Sequence, residues 1–195
     1  YSFNKNLLNK LALLSKYPII VYVLNSSFIG VEGGISDTIM DLLYLELDRP
    51  FNIKNKNGNT IPIGRICTPK NYFNDENLFK FGDLLKRIKT NLELKKISYV
   101  GDLNKEVHKI CIIGGEFPEF KYLNKIIESY CDCYISCKIN YDFSIYAREI
   151  GLNLIEIPNY NCEIKAMKKL CNFLSLEFSN DEIFLYNPFN PIQIY

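Results

Sequence analysis

The apolar and polar positions alternate along the chain between helical and strand spacings. Residues 4–17 place Leu7, Leu8, Leu11 and Leu14 on one helical face. Residues 19–24 follow as a continuous apolar run, which suits a strand buried on both faces. A loop over residues 25–34 ends in Gly33-Gly34, and a helix begins near Ser36 with Ile39, Leu42 and Leu43 as its apolar positions. Residues 52–60 are polar and contain Gly58, which marks a loop or linker. A short strand is expected at 63–67 and a helix at about 77–91, with Leu84, Leu85, Ile88 and Leu92 as its stripe.

The second half has a regular rhythm. Strands are expected at 97–100, 109–113, 131–137, 153–157 and 182–186, and helices at 119–128, 142–150 and 162–173. Strands alternating with helices imply βαβ crossovers and hence an α/β fold with largely parallel sheets and flanking helices. The expected division is the C-terminal part of a first α/β domain over residues 1–60 and a second α/β domain over 61–195. In such sheets, ligands bind at the carboxyl ends of strands. The loops 25–34, 114–118 and 158–163 fall there.

Composition narrows the picture. The 195 residues are 48% hydrophobic and carry a formal net charge of +1, values that exclude disorder. No apolar run reaches the roughly 20 residues of a membrane-spanning helix. The 23 basic residues nearly balance the 22 acidic ones, which argues against a basic nucleic-acid binder. Seven cysteines, an odd number without repeating spacing, argue against a secreted disulfide framework and point to a cytoplasmic chain. The chain is rich in Ile, Asn, Lys and Tyr, as A/T-rich codons would make it. Background Asn and Lys therefore carry little functional weight.

Three chemical candidates stand out from the residues alone. Cys131, Cys133 and Cys137 are spaced so that a zinc site is conceivable, with small core residues as the plainer reading. In an expected strand over 130–136, Cys131 and Cys133 would share one face with Ile135. Gly114-Gly115 suits a tight turn better than a phosphate loop, because Glu116 follows and no third glycine has dinucleotide spacing. His108 is the single histidine, so a nucleophile–His triad has little support, and an exposed strand-edge position is expected.

Several segments together resemble one family. They are residues 21–37 with Gly33-Gly34 and Asp37, then Gly64-Arg65, Gly101-Asp102, residues 110–115, residues 132–136, residues 151–155 and Asn187-Pro188-Phe189. Their order and spacing are similar to the NIF-three-like family (NGG-one-interacting factor three), whose members also bear the name GTP cyclohydrolase 1 type 2 homolog. The resemblance runs through nearly the whole chain. Family members begin with a further segment carrying His-His-Pro, so this chain reads as one cut just after that motif, with Tyr1 marking the cut.

The resemblance implies a two-metal site in members that keep it. Its ligands are the upstream His pair, the Asp of a His-Thr-x-x-Asp segment, and a His-x3-Glu at a later strand end. Divalent ions so held activate water for hydrolysis. Carried over residue by residue, the first His falls on Asn25 and the ligand Asp on Ile29. The later His falls on Asn159, and only Glu163 is retained as a remnant metal position. A family His-His-Asp falls on Tyr141, Asp142 and Phe143, and its Gly-Ser-Gly on Glu116, Phe117 and Pro118. The expectation is an eroded, non-catalytic site without cofactor, in a protein acting through self-association into a homo-oligomer or through a protein partner. The alternative is a metal-dependent hydrolase or nucleotide-processing enzyme with a remodelled site, for which Glu32 or Asp37 would have to replace the lost carboxylate.

Overall fold

The computed structural model describes residues 4–70, 79–116 and 120–192. Within them the helices are α1 (Lys5–Leu14), α2 (Ser26–Gly30), α3 (Ile35–Leu42), α4 (Phe81–Asn91), α5 (Phe120–Glu128), α6 (Tyr141–Glu149) and α7 (Asn159–Glu177). The strands are β1 (Leu45–Lys54), β2 (Thr60–Pro69), β3 (Ser98–Val100), β4 (Ile110–Ile113), β5 (Cys133–Ser136) and β6 (Asn153–Glu156).

All six strands form one sheet in the order β1-β2-β4-β5-β6-β3. Its centre is the expected parallel part: β4 pairs with β5, and β5 with β6, each across one helical crossover. The flanks are antiparallel. β1 and β2 form a hairpin whose second strand pairs with β4, and β3 returns to pair with β6. The fold is therefore α/β with a mixed sheet. β1, inside residues 1–60, and β2, which runs from Thr60 into the 61–195 segment, share one ladder.

Successive crossovers running in one direction put their helices on one face. Accordingly α5 and α6 cover one side, with Leu123, Ile126, Phe143 and Ala147 against Cys111, Ile113, Tyr134 and Leu154. On the other side α3, α4 and α7 bring Ile39, Leu84, Ile88 and Ala166 against Ile110, Ile112, Cys133, Ile135 and Ile155. Alternate residues of each central strand thus feed opposite cores, and every residue of β4 and β5 is buried. Each large aliphatic side chain so buried contributes about 1.5–3 kcal/mol.

Local chemistry sets the boundaries. Asn140 caps α6 by accepting from the Phe143 N–H at 2.8 Å. The β1–β2 turn is held by Asn55, whose side chain accepts from the N–H groups of Asn57 and Asn59, and Gly58 supplies the positive φ.

Three differences from the sequence expectation have physical causes. β1 has no counterpart in the expected pattern because Glu46, Asp48, Arg49 and Pro50 line an exposed edge strand interrupted by bulges. Residues 19–24 and 182–186 adopt no regular secondary structure and pair with no strand among the described residues. Cys131 precedes β5 and joins the core under α5 and α6, whereas Cys133 joins the opposite core. The two cysteines therefore do not share a face. The expected helix start at 77 and the residues Phe117, Pro118 and 119 lie outside the described residues. No described helix is long and apolar enough to cross a membrane.

Candidate functional site

The segment 25–34 is fixed from below by one buried ion pair. Arg65, on the buried stretch of β2, donates from Nε to Asp37 Oδ1 at 2.5 Å and from Nη2 to Asp37 Oδ2 at 2.8 Å. Its remaining donors reach the carbonyls of Gly30, Gly64 and Val31 at 3.0, 2.9 and 3.2 Å. Asp37, in the first turn of α3, also accepts from the Gly33 N–H at 2.7 Å. This fork-to-carboxylate geometry is the strong form of the contact, and it commits the Asp37 carboxylate on both oxygens. Sequence reasoning places Asp37 at a helix start and misses the clamp. The available signal is an arginine inside a strand that is otherwise apolar.

The Gly114-Gly115 turn supports the same region. Gly114 donates its N–H to the Ser36 hydroxyl at 3.1 Å, and a Cβ at Gly114 would run into Ile35. Close packing of α3 on the end of β4 accounts for this glycine.

Above this frame lies a small cavity of about 160 Å³. Leu24, Asn25, Phe28, Ile29 and Ile35 form one wall, and Glu163 with Met167, one turn apart on α7, form the other. The structure therefore brings together Asn25, Ile29 and Glu163. Their chemistry is one carboxylate and one carboxamide in an otherwise apolar surround. Ile29 is partly buried and packs against both hydrophobic cores. A pair of divalent ions needs a denser set of carboxylates and imidazoles than this wall supplies. These residues do not fit such a centre.

Asn159 lies elsewhere. It starts α7 and donates from Nδ2 to Glu116 Oε1 at 2.8 Å, while Glu116 Oε2 pairs with Lys138 at 3.1 Å. Asn159 and Glu116 border a separate cavity of about 920 Å³ at the carboxyl ends of β4, β5 and β6, where Glu156 and Cys137 also line the wall. Asp142 sits in the first turn of α6, a helix that covers the opposite face of the sheet. A carboxylate there complements the helix dipole. Glu32 borders the outer side of the Arg65–Asp37 clamp.

The cysteines behave as core. Burial pushes the Cys67 and Cys131 thiols up to about 12, and drives Cys111 and Cys133 well above their ordinary value. Among the described residues no group of three or more His, Cys, Asp and Glu side chains is arranged to hold a metal ion. His108 is exposed, with Nε2 3.4 Å from Glu106 and Nδ1 3.3 Å from Asp132.

A three-layer α/β protein with a mixed six-stranded sheet, and with loops gathered at the carboxyl ends of its central strands, is the class these features define. The chain belongs to the Duf34/NIF3 (NGG1p interacting factor 3) family, whose profile matches residues 3–189. It is 24% identical over 181 residues to a GTP cyclohydrolase 1 type 2 homolog of Clostridium perfringens, an alignment covering 90% of this chain and 64% of that relative. A protein of the same name from Methanocaldococcus jannaschii is 25% identical over 175 residues, covering 89% of this chain and 65% of the relative. The chain thus spans just under two thirds of the length of these relatives. Among solved structures, reduced HcgD from Methanocaldococcus jannaschii superposes with a TM-score of 0.70 at 23% identity, covering 90% of this chain and 64% of that one. TTHA1606 from Thermus thermophilus superposes with a TM-score of 0.66 at 15% identity, covering 97% and 69%. These likenesses establish the fold.

Proposed function

We propose that this protein is a divergent family member whose two-metal site is eroded, and that it acts in the cytoplasm through self-association or protein contacts rather than catalysis. The carrying observation is the composition of the cavity between α2 and α7. Glu163 remains, but Ile29 faces the same space where the family resemblance calls for a carboxylate ligand. Ile29 is also part of the packing between the two cores, so its side chain has a structural role that a ligand Asp would not fill. Of the two candidate substitutes, Asp37 is committed to Arg65 and Gly33, and Glu32 lines the outer side of that clamp rather than the cavity that holds Glu163.

The test is elemental analysis of the purified full-length protein. The reading expects no stoichiometric transition metal, and no change on Glu163→Ala. Stoichiometric zinc, iron or manganese, lost on Glu163→Ala, would overturn it.

One observation favours a second reading. Asn25 and Glu163 do share a cavity, and a separate, larger cavity at the strand ends is lined in part by Glu116, Glu156 and Asn159. A remodelled metal-dependent hydrolase or nucleotide-processing enzyme would use those spaces. That reading requires activity on a phosphate or nucleotide substrate that is abolished by Glu163→Ala and by a metal chelator.

A further inference from the structure

Two of the cysteines meet between β5 and α7. Cys133, Ile135 and Cys137 alternate along β5 and its end toward the core that α7 covers. Cys162, the fourth residue of α7, lies in the same core, one turn before Ala166. The backbone sets the approach. The Ile157 N–H donates to the Ser136 carbonyl at 2.9 Å, and the Cys162 N–H to the Pro158 carbonyl at 3.4 Å, so the first turn of α7 folds back onto the end of β5. The Cys162 S–H donates to the Cys137 sulfur, and this bond, followed by burial, pushes the Cys162 thiol well above its ordinary value. Cys67, Cys111, Cys131 and Cys133 differ: burial dominates each of them, and they influence one another only through charge.

The pair is reachable from one side only. Cys137, 6% exposed, lines the cavity of about 920 Å³ at the strand ends, whereas Cys162, 1% exposed, lies behind it. Glu116, Asn159 and Asn161 give that cavity a polar wall suited to a small, hydrogen-bonding oxidant. The start of α7 also borders it, and this helix of 19 residues has no acidic residue in its first turn and no side-chain cap. Its positive end therefore faces the space in which a sulfur anion would form. We propose that Cys137 and Cys162 form a redox-active dithiol that hydrogen peroxide oxidises from this cavity, Cys137 reacting first and Cys162 resolving the product into a disulfide. The site is independent of the eroded-metal reading above.

The step balances in two stages. The Cys137 sulfur, giving up its proton, attacks one peroxide oxygen. An S–O bond forms, the O–O bond breaks, and the departing hydroxide takes the proton as water, which leaves Cys137 as a sulfenic acid. The Cys162 sulfur then attacks the Cys137 sulfur. The S–S bond forms, the S–O bond breaks, and the hydroxyl leaves with the Cys162 proton as a second water. Two thiols lose two electrons and one peroxide gains them. A small dithiol reverses the change by exchange. Cys162 stands between Asn159 and Glu163 on α7, so the new bond ties down the turn that carries both.

The test treats the reduced, folded 195-residue chain with a small excess of hydrogen peroxide, blocks the remaining thiols with iodoacetamide and weighs the tryptic fragments. The expected product joins residues 126–138 to residues 149–165 through one disulfide and disappears on treatment with dithiothreitol. Fragment 126–138 also holds Cys131 and Cys133, so fragmentation of the linked product must place the bond at Cys137. Cys137→Ser abolishes the link. Cys162→Ser leaves the first stage intact, and dimedone then captures a sulfenic acid at Cys137. A parent chain that keeps all seven thiols, oxidation confined to the half-exposed Cys171, or a link made through Cys131 or Cys133 would each overturn the proposal. So would a link that forms only in urea, or one that persists in Cys137→Ser. None of these outcomes depends on metal content, so failure here is separate from failure of the eroded-site reading.

Discussion

Removing the carboxylate of Asp37 tests how the loop around the candidate site is held. Both partners of the Arg65–Asp37 pair are nearly dry, with side chains 7% and 10% exposed. Asp37→Ala leaves the guanidinium buried with three carbonyl acceptors and no counter-charge. It also leaves the Gly33 N–H without its acceptor. Breaking a buried pair by deleting one partner typically costs about 3–5 kcal/mol, because the surviving charge is uncompensated. Stability of a single domain is about 5–15 kcal/mol, so this loss is a large fraction of the total. The assay is urea unfolding followed by far-UV circular dichroism. The expected result is a lower midpoint with an unchanged slope, since the surface exposed on unfolding is the same. The double variant Asp37→Leu with Arg65→Met is expected to lose less than Asp37→Ala, because no charge remains buried. A loss below about 1 kcal/mol for Asp37→Ala would refute the argument, since that is the value of a solvent-screened surface pair.

Three further outcomes follow from particular contacts. The Tyr134 hydroxyl is buried without a hydrogen-bond partner among the described residues, so Tyr134→Phe is expected to stabilise by about 1 kcal/mol and raise the melting temperature by about 2–4 °C. Gly64→Ala drives a Cβ into the Ile112 carbonyl of β4 and is expected to cost about 1–3 kcal/mol by chemical denaturation. Buried Cys67 and Cys131 hold their protons to about pH 12, against an ordinary value of 9.0 that applies once unfolded. Between those values the unfolded state binds fewer protons, so their contribution is intact below about pH 9 and lost as pH rises through 12. Stability measured against pH is expected to fall across that window, and less steeply in Cys67→Ala.

How much of this is legible in the sequence depends on where each element sits. The central strands read correctly because both faces are buried: Ile110 to Ile113 is uniformly apolar and needs no partner information. α4 and α5 read correctly because a single apolar stripe meets a single core. Edge strands carry no such signature. β1 alternates Leu, Glu and Asp on the open side, and its pairing with β2 is set by the Asn55–Gly58 turn rather than by hydrophobicity. Pairing order is equally invisible, since β3 joins β6 although β4 follows it in the chain. At the site, the sequence identifies Asn25, Ile29 and Glu163, and the structure gathers them at one cavity. It does not reveal that Asn159 turns to Glu116, because that contact depends on how the ends of β4 and β6 lie across the sheet.

The central claim is that Ile29 closes the family's metal chemistry in this chain. The most direct measurement is the metal content per chain of the purified full-length protein, taken beside its Ile29→Asp variant. The account predicts a substoichiometric metal content in the natural sequence that does not respond to Glu163→Ala. A full complement of zinc, iron or manganese in the natural sequence, lost when Glu163 is removed, would contradict it.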